Sequence, residues 1–228
     1  MNAITKKLLG QVAGMFVVFA LVLFVPAGTI AWISGWVFLI LFFGFVAVIS
    51  TWLLHHNPGL LTERMGGTIR SGQKGWDQAL IAVVTVLFFG WLILMPLDAV
   101  RFHWSQMPIG FQVLGGFILG ASFILFFFTF RANSFLSPVV RNQADRGQTV
   151  ISTGPYRYIR HPMYAGFLLF AIGTPLLLGS FYGLVGSLIL ILAVAIRAVL
   201  EERTLREELP GYGAYMAKVK YRFIPYIW

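Results

Sequence analysis

Long apolar runs alternate with shorter polar segments along the whole chain. A membrane-spanning helix needs about 20 mainly apolar residues. The runs that approach or reach this length are Leu8–Val25, Trp32–Leu54, Leu80–Leu97, Ile109–Phe130, Met163–Leu178 and Gly183–Leu200. The sequence has no repeated ten-residue segments of alternating polarity, the pattern of membrane β-strands. The pattern therefore predicts an all-α fold, a polytopic transmembrane helical bundle of about six spans.

The last two runs form a predicted C-terminal helical hairpin, joined by Gly179–Tyr182. Met163–Leu178 is short for a full span and contains Pro175, so we expect a tilted or partial crossing. The longest polar region, Arg131–Pro162, precedes this hairpin, and a polar, partly helical tail, Glu201–Trp228, follows it. Another polar loop lies near residues 55–78.

Basic residues are distributed unequally between the two sides of the predicted bundle. The chain carries 17 Lys and Arg against 8 Asp and Glu, a net charge of +9. If Lys6 and Lys7 are cytoplasmic and the chain crosses six times, Arg101 alone among the basic residues falls on the opposite side. This asymmetry follows the positive-inside rule, whereas five crossings would scatter the charges. We therefore expect an integral protein of a bacterial inner membrane, with both termini and the active site cytoplasmic.

Composition strengthens the membrane assignment and excludes several classes of site. Hydrophobic residues make up 58% of the chain and charged residues only 11%, whereas soluble domains average about 25% charged. We assign the excess positive charge to contact with membrane lipids and predict no nucleic-acid partner. The chain has no cysteine, which rules out disulfides, thiolate metal sites and a cysteine nucleophile. We predict no metal site.

The most polar motif of the chain is Gly147–Gly166, directly before the hairpin. Pro162 favours a helix start close by, so Arg160 and His161 are predicted just before a helix N-terminus. A helix N-terminus with cationic side chains attracts a carboxylate or phosphate. Arg157 is equally suited to anchoring in anionic lipid headgroups.

Acidic residues are scarce, yet two of them are adjacent where the hairpin ends. Glu201 and Glu202 follow Arg197 at helical spacing, so Arg197 and Glu201 share a helix face and can pair. Charged groups at a membrane border are costly and are often functional. Cationic and anionic walls at one hairpin mouth suit a zwitterionic ligand. The residues alone thus predict a membrane protein with a polar pocket on the cytoplasmic side.

The same residues resemble a known signature. Gly154–Gly166 reads G-P-Y-R-Y-I-R-H-P-M-Y-A-G and is followed by the Glu201–Glu202 pair. This order resembles the isoprenylcysteine carboxyl methyltransferase family, and the related phospholipid N-methyltransferases share an R-H-P-x-Y-x-G and E-E pattern. The tail segments Gly211–Tyr215 and Tyr221–Pro225 also resemble the ending of that family. Similarity is strongest from Asn133 onward and weaker over the loop motifs P-G-L-L-T-E-R-M and K-G-W-D.

The resemblance implies S-adenosylmethionine as the methyl donor and S-adenosylhomocysteine as the product. It assigns residues 131–228 to a catalytic region and residues 1–130 to scaffold helices. The cofactor-binding residues it implies are Gln148, Thr149, Val150, Ile151, Tyr156, Arg160, His161, Pro162, Met163, Tyr164, Gly166, Glu201 and Glu202. The catalytic residues it implies are Arg197, Glu201, Glu202 and His161. Within this set, Arg197 is expected to bind an anionic group of the substrate.

The predicted function is methyl transfer to a lipophilic or lipidated acceptor that enters from the bilayer, most like carboxyl O-methylation of an isoprenylcysteine. The alternative is N-methylation of phosphatidylethanolamine, in which Glu201, Glu202 or His161 would remove the proton from the amine. An NADPH-dependent membrane reductase is a further alternative, because sterol reductases carry a comparable R-H-x-x-Y-x-G ending. A transporter or scaffold is disfavoured because the first four predicted spans carry almost no charge.

Overall fold

The computed structural model describes residues 3–67, 69–70, 72–141 and 143–228, and these residues form helices and connecting loops with no β-strand. The α-helices within these ranges are α1 (Ala3–Ala27), α2 (Ile33–His56), α3 (Pro58–Met65), α4 (Gly75–Pro96), α5 (Ile109–Ala132), α6 (Pro162–Leu178), α7 (Phe181–Glu208) and α8 (Tyr212–Lys218). The predicted polytopic helical bundle is confirmed.

Length and composition separate the membrane helices from the others. Across the described residues, α1, α2, α4, α5 and α7 are long and apolar enough to cross a bilayer. The shorter α6 has 17 residues. At a rise of about 1.5 Å per residue it reaches about 25 Å, less than the hydrocarbon core of about 30 Å. The chain is therefore an integral membrane protein, and α6 is the helix whose length alone does not suffice for a crossing.

The α6–α7 hairpin has a tight corner that its sequence encodes. Gly179 adopts φ +80°, a left-handed conformation suited to glycine, directly after α6. Ser180 then caps α7, because its side-chain oxygen accepts a hydrogen bond from the amide of Gly183 at 2.8 Å. Asp98 buttresses the corner by accepting a hydrogen bond from the Ser180 hydroxyl at 2.5 Å. The predicted hairpin is thus present, and its corner is held from the loop after α4.

Small residues bring α5 and α6 into close contact. A Cβ on Gly173 would lie 2.7 Å from the backbone nitrogen of Leu119, and a Cβ on Gly115 would lie 2.3 Å from that of Leu177. Both distances are shorter than a side chain can occupy, so glycine is required at these crossing points. Lipid provides no hydrophobic driving force between helices, and close backbone approach is a common source of their association.

Aromatic rings fill the centre of the bundle. Phe38 and Phe42 of α2 contact Phe170 of α6 with ring centroids 6.4 and 6.3 Å apart. Trp91 of α4 donates its indole hydrogen to the carbonyl oxygen of Gly183 at 2.7 Å, which ties α4 to the start of α7. The core thus connects the scaffold helices to the hairpin.

The helix boundaries differ from the predictions at informative places. The loop predicted near residues 55–78 contains α3, which begins at Pro58 and is capped by the Asn57 side chain accepting from the amide of Leu60 at 3.1 Å. The last span was predicted to end at Leu200, but α7 continues to Glu208. Caps and buried contacts, rather than hydropathy, decide where these helices begin and end.

Candidate active site

Glu202 is the centre of a buried ionic cluster at one end of the bundle. Its Oε1 accepts a hydrogen bond from Arg160 Nε at 2.6 Å and lies 3.2 Å from His161 Nε2. Its Oε2 accepts from Arg222 Nε at 2.8 Å. Glu202, Arg160 and His161 are all less than 10% exposed. The two predicted walls of the pocket therefore touch each other here, and no open space separates Glu202 from the cationic residues.

The same cluster fixes the C-terminal tail against the start of α6. The guanidinium of Arg160 also donates to the carbonyl oxygens of Val219 and Lys220, both at 2.8 Å. The backbone amide of Arg160 donates to the carbonyl of Tyr221, and that of His161 donates to the carbonyl of Arg222, both at 2.9 Å. An arginine with this many acceptors connects two segments 60 residues apart. The geometry gives Arg160 and His161 a clear structural role besides the predicted cofactor role.

Glu201 points away from this cluster. Adjacent residues on a helix lie about 100° apart, so the carboxylates of Glu201 and Glu202 face different surroundings. Glu201 Oε2 accepts a hydrogen bond from the Tyr164 hydroxyl at 2.5 Å. Both side chains line a polar cavity of about 200 Å³ together with Arg197. The structure therefore brings four predicted site residues, Met163, Tyr164, Arg197 and Glu201, to one cavity.

Arg197 is held by a partner that the sequence analysis did not include. Its Nε donates to Asp77 Oδ1 at 2.9 Å, and its Nη2 donates to the carbonyl of Pro138 at 2.9 Å. Arg197 and Glu201 line the same cavity, but among the described residues the ion pair of Arg197 is with Asp77 and not with Glu201. Asp77 is fully buried and also accepts from the amide of Val140 at 2.8 Å. A carboxylate from the start of α4 thus sets the position of this guanidinium.

A second, apolar cavity adjoins the polar one. It measures about 210 Å³ and lies among α4, α5, α6 and α7. The two cavities share Met163, Tyr164 and Arg197 in their walls. The remaining lining of the apolar cavity is Ile81, Val84, Thr85, Phe126, Phe167 and Val194. Charged groups and an apolar space within the bundle thus meet at Tyr164 and Arg197.

Three buried tyrosines, Tyr156, Tyr212 and Tyr215, lie near the end of α7. Tyr156 is buried, accepts a hydrogen bond from the side-chain amide of Asn133 at 2.8 Å, and receives the Tyr215 hydroxyl on its backbone carbonyl at 2.8 Å. Burial raises the pKa of Tyr156 and of Tyr212, and the negative charge of Glu201 adds to both shifts. The buried Tyr212 hydroxyl has no hydrogen-bond partner within the described part of the chain. An unpartnered buried hydroxyl close to a carboxylate is a position where a bound polar ligand would be stabilised.

The remaining predicted cofactor residues lie around these walls. In Gln148–Ile151, the Gln148 side-chain oxygen accepts from the amide of Gln143 at 2.9 Å, and Val150 packs against Tyr212 and Tyr215. Thr149 is exposed and Ile151 is partly exposed, and neither lines the two cavities.

The other motif residues lie at the start of α6, where packing accounts for their identities. Pro162 is the first residue of the helix, and Met163 lines both cavities. A Cβ on Gly166 would lie 2.6 Å from the ring of Phe126, so glycine permits α6 to pack closely on α5. Arg157 is exposed, as a headgroup anchor would be.

Sequence reasoning missed Asp77, Arg64 and Tyr212 as residues of this region. Asp77 and Arg64 belong to the two loop motifs for which only a weak resemblance was noted. The available signal for Asp77 was its negative charge, next to an apolar run, in a chain with few acidic residues. The pairing of Asp77 with Arg197 spans 120 positions, which no local pattern reveals.

Two known groups of proteins are similar to this chain. A family model described as phospholipid methyltransferase matches residues 111–210, from the start of α5 to just beyond α7. The protein-S-isoprenylcysteine O-methyltransferase of Schizosaccharomyces pombe is 26% identical over 197 residues, which cover 77% of this chain and 80% of that protein. The residues matched by the family model include Arg160, His161 and Glu202, and also Met163, Tyr164 and Arg197, which border both cavities. The chain is thus similar to integral membrane methyltransferases of the isoprenylcysteine carboxyl methyltransferase and phospholipid methyltransferase kind.

Proposed function

We propose that this methyltransferase uses S-adenosylmethionine to methylate the carboxylate of a lipophilic acceptor of the isoprenylcysteine type. The observation that carries the proposal is the shared wall of the two cavities. Tyr164 and Arg197 border both the polar cavity with Glu201 and the apolar cavity between the helices. A headgroup in the first space and an apolar chain in the second would place a carboxylate beside Arg197.

The residues around Glu201 fit the proposed cofactor. S-adenosylmethionine supplies a methyl group on a positively charged sulfur and carries an ammonium and a carboxylate. Glu201 offers negative charge to the cationic groups, and the unpartnered Tyr212 hydroxyl offers a hydrogen bond. The residues Gln148–Ile151 and Tyr156 remain the predicted contacts of the nucleoside or methionine part.

Arg197 is the proposed carboxylate-binding group. Its Nε and one Nη are engaged by Asp77 and Pro138, so its orientation is fixed before an acceptor arrives. A guanidinium held in this way binds a carboxylate with little reorganisation. Fixed geometry of this kind is the main contribution a protein makes when two reactants must be aligned.

The chemistry requires no general base when the acceptor is a carboxylate, because a carboxyl group is ionised at neutral pH. In the proposed transfer the carboxylate oxygen would form a bond to the methyl carbon, and the bond from that carbon to sulfur would break with its electron pair left on sulfur. No proton moves in this step. The catalytic roles first predicted for His161 and Glu202 are then indirect, because these two side chains hold the tail and α7 in place.

Phosphatidylethanolamine N-methylation remains the second proposal, supported by the description of the matching family model. An ammonium must lose its proton before it can accept a methyl group, and a base with a free carboxylate oxygen would be required. Glu202 has both oxygens engaged by cations, which leaves Glu201 as the better base. The positive charge of Arg197 in the cavity favours a carboxylate over an ammonium acceptor.

The location we propose is a bacterial inner membrane, with the polar cavity facing the cytoplasm. The clustering of basic residues at that end of the bundle supports this orientation. S-adenosylmethionine would then enter from the cytoplasm and the acceptor from the bilayer.

The test uses the full chain in detergent or lipid nanodiscs with methyl-labelled S-adenosylmethionine. Purified protein is incubated in parallel with an N-acetylated S-isoprenylcysteine and with phosphatidylethanolamine. We expect label in a base-labile methyl ester of the first acceptor only. Label in methylated phosphatidylethanolamine would support the second proposal, and absence of saturable S-adenosylmethionine binding would reject both.

A further inference from the structure

Arg64 is a cation without an acidic partner beside the proposed site. It lies on α3, outside the residues matched by the family model, and it lines the same polar cavity as Arg197 and Glu201. One Nη donates to the carbonyl oxygen of Leu136 at 3.1 Å. Its guanidinium lies 4.7 Å from the ring centroid of Phe130. Within the described ranges it forms no ion pair.

Two neighbouring carboxylates, Glu63 and Asp77, are already engaged by other cations. Glu63, next to Arg64 in the chain, forms ion pairs with Arg70 at 3.1 Å and with Arg141 at 3.2 Å. Asp77 is engaged by Arg197. Desolvation, and then the positive charge of Arg197, lower the pKa of Arg64 to about 10. Two cations therefore face one small cavity that also contains Glu201, and within the described ranges Arg64 has no acidic partner within ion-pair distance.

Arg64 borders two cavities of the structure. Besides the polar cavity, Arg64 lines a groove of about 500 Å³ between α1, α2, α3 and α5. The groove shares Arg64 and Met163 with the polar cavity and is otherwise lined mainly by apolar residues of these helices. Arg64 therefore lies where a ligand with an anionic head and an apolar body would bring its charged end.

We infer that Arg64 binds the acceptor carboxylate together with Arg197, so that α3 supplies half of the anion site. This inference rests on the proposed function and extends it to a residue outside the motif region. A partly buried cation without an ion pair is unfavourable, and a carboxylate within hydrogen-bond distance offsets that cost. Arginine is suited to this task because its planar fork matches the two oxygens of a carboxylate.

The test compares two ligands that differ only in charge. An N-acetylated S-isoprenylcysteine and its carboxamide are titrated into wild type, Arg64→Gln and Arg64→Lys in detergent, with S-adenosylhomocysteine present. We expect wild type to prefer the carboxylate and Arg64→Gln to lose about 10- to 100-fold in carboxylate affinity. The carboxamide affinity should stay within about twofold in both variants, and Arg64→Lys should retain part of the preference.

Arg70→Gln serves as the matched control. Arg70 lies in the same segment as Arg64, but its ion pair is with Glu63. We expect this variant to keep the wild-type preference for the carboxylate. An equal loss of preference in Arg70→Gln would overturn the inference, because loosening of the segment would then explain the effect.

The remaining outcomes are also decisive. The inference is wrong if wild type binds the carboxylate no more tightly than the carboxamide, or binds neither, or if Arg64→Gln changes both affinities equally. If wild type and Arg64→Gln behave as expected but wild type forms no methyl ester, the proposed function fails and the anion site stands. Binding and turnover are measured separately for this reason.

Discussion

Two polar segments meet at the same end of the bundle and use their charges differently. The motif-rich segment 147–166 contributes Arg160 and His161, which are engaged by Glu202 within a buried cluster. The segment 57–77 contributes Asp77, which positions Arg197 at the edge of the polar cavity. The side chains Arg160 and His161 of the segment 147–166, which carries the strong motif, are thus engaged by Glu202. The segment 57–77, which carries only weak motifs, instead helps to place the charge of Arg197 beside the polar cavity.

The comparison distinguishes charged residues that maintain the fold from charged residues that can contact a ligand. The oxygens of Glu202 are both occupied, so its most evident effect is to hold the C-terminal tail and α7 against the start of α6. Arg197 lines a cavity and is fixed from behind. A motif therefore identifies a family well, but it does not show which of its residues meets the substrate.

The strongest test of this comparison is removal of the buried carboxylate in the cluster. Glu202→Gln leaves Arg160 buried without its counter-charge, and breaking a buried ion pair costs about 3–5 kcal/mol. We expect a large fall in the thermal unfolding temperature in detergent and faster hydrogen exchange in the tail. Glu207→Gln, at an exposed site on the same helix, should stay within about 0.5 kcal/mol of wild type. An unchanged unfolding temperature for Glu202→Gln would show that the cluster does not maintain the fold.

Removal of Arg197 should lower catalysis and also stability, because the fully buried Asp77 loses its counter-charge. Arg197→Gln keeps a hydrogen-bonding side chain but loses the charge opposite the acceptor, and we expect kcat/KM for the carboxylate acceptor to fall about 100-fold. Asp77→Asn should cost about tenfold, because Arg197 retains its hydrogen bond to Pro138. The measurements are steady-state methyl transfer and calorimetric binding of S-adenosylmethionine. If cofactor affinity falls as much as kcat/KM does, Arg197 acts on the cofactor and its assignment to the acceptor is wrong.

The parts of the fold that depend on hydropathy were predictable, and the parts that depend on tertiary contacts were not. Apolar runs located each long helix because a bilayer demands continuous apolar length. The short helix α3 was missed because Leu60 and Leu61 are buried against other helices, a context that a polar loop sequence does not reveal. The two cavities also depend on tertiary contacts, so hydropathy did not predict their positions. The sequence placed Glu201 and Glu202 together, but their orientations differ because only one of them meets the cluster.

A smaller effect on the rate of methyl transfer is expected when the hydrogen bond between Tyr164 and Glu201 is removed. Tyr164→Phe keeps the ring beside Arg197 but removes the hydrogen bond to Glu201. A hydrogen bond to a charged group contributes about 1.5–3 kcal/mol, and we expect the lower end, a loss of about tenfold in methyl transfer. Tyr158→Phe is the matched control, because Tyr158 is 66% exposed. Equal rates for wild type and Tyr164→Phe would mean that Glu201 is positioned without Tyr164.

The smallest expected effect is a change of stability with pH that arises from Glu63, which holds the segment 57–77 in place. Burial by itself raises the pKa of Glu63, but hydrogen bonds from Arg141 and Ser137 and the charges of Arg141 and Arg70 outweigh it, so the net shift is downward. A lowered folded pKa means that Glu63 stabilises the fold at neutral pH. That contribution begins to fall below the unfolded value of about 4.3 and is lost as the pH drops through the folded pKa.

The measurement is the unfolding temperature of wild type and Glu63→Gln between pH 7 and pH 3. We expect Glu63→Gln to be less stable at pH 7 and the gap to narrow below about pH 4.5, because protonated Glu63 resembles the glutamine. Hydrogen exchange in α3 should follow the same trend, since Glu63 joins α3 to Ser137 at 2.9 Å and to Arg141 at 3.2 Å. A gap that stays constant over this range would show that the charge of Glu63 does not hold the segment. The first polar segment would then be positioned mainly by Asp77 and by the burial of Leu60 and Leu61.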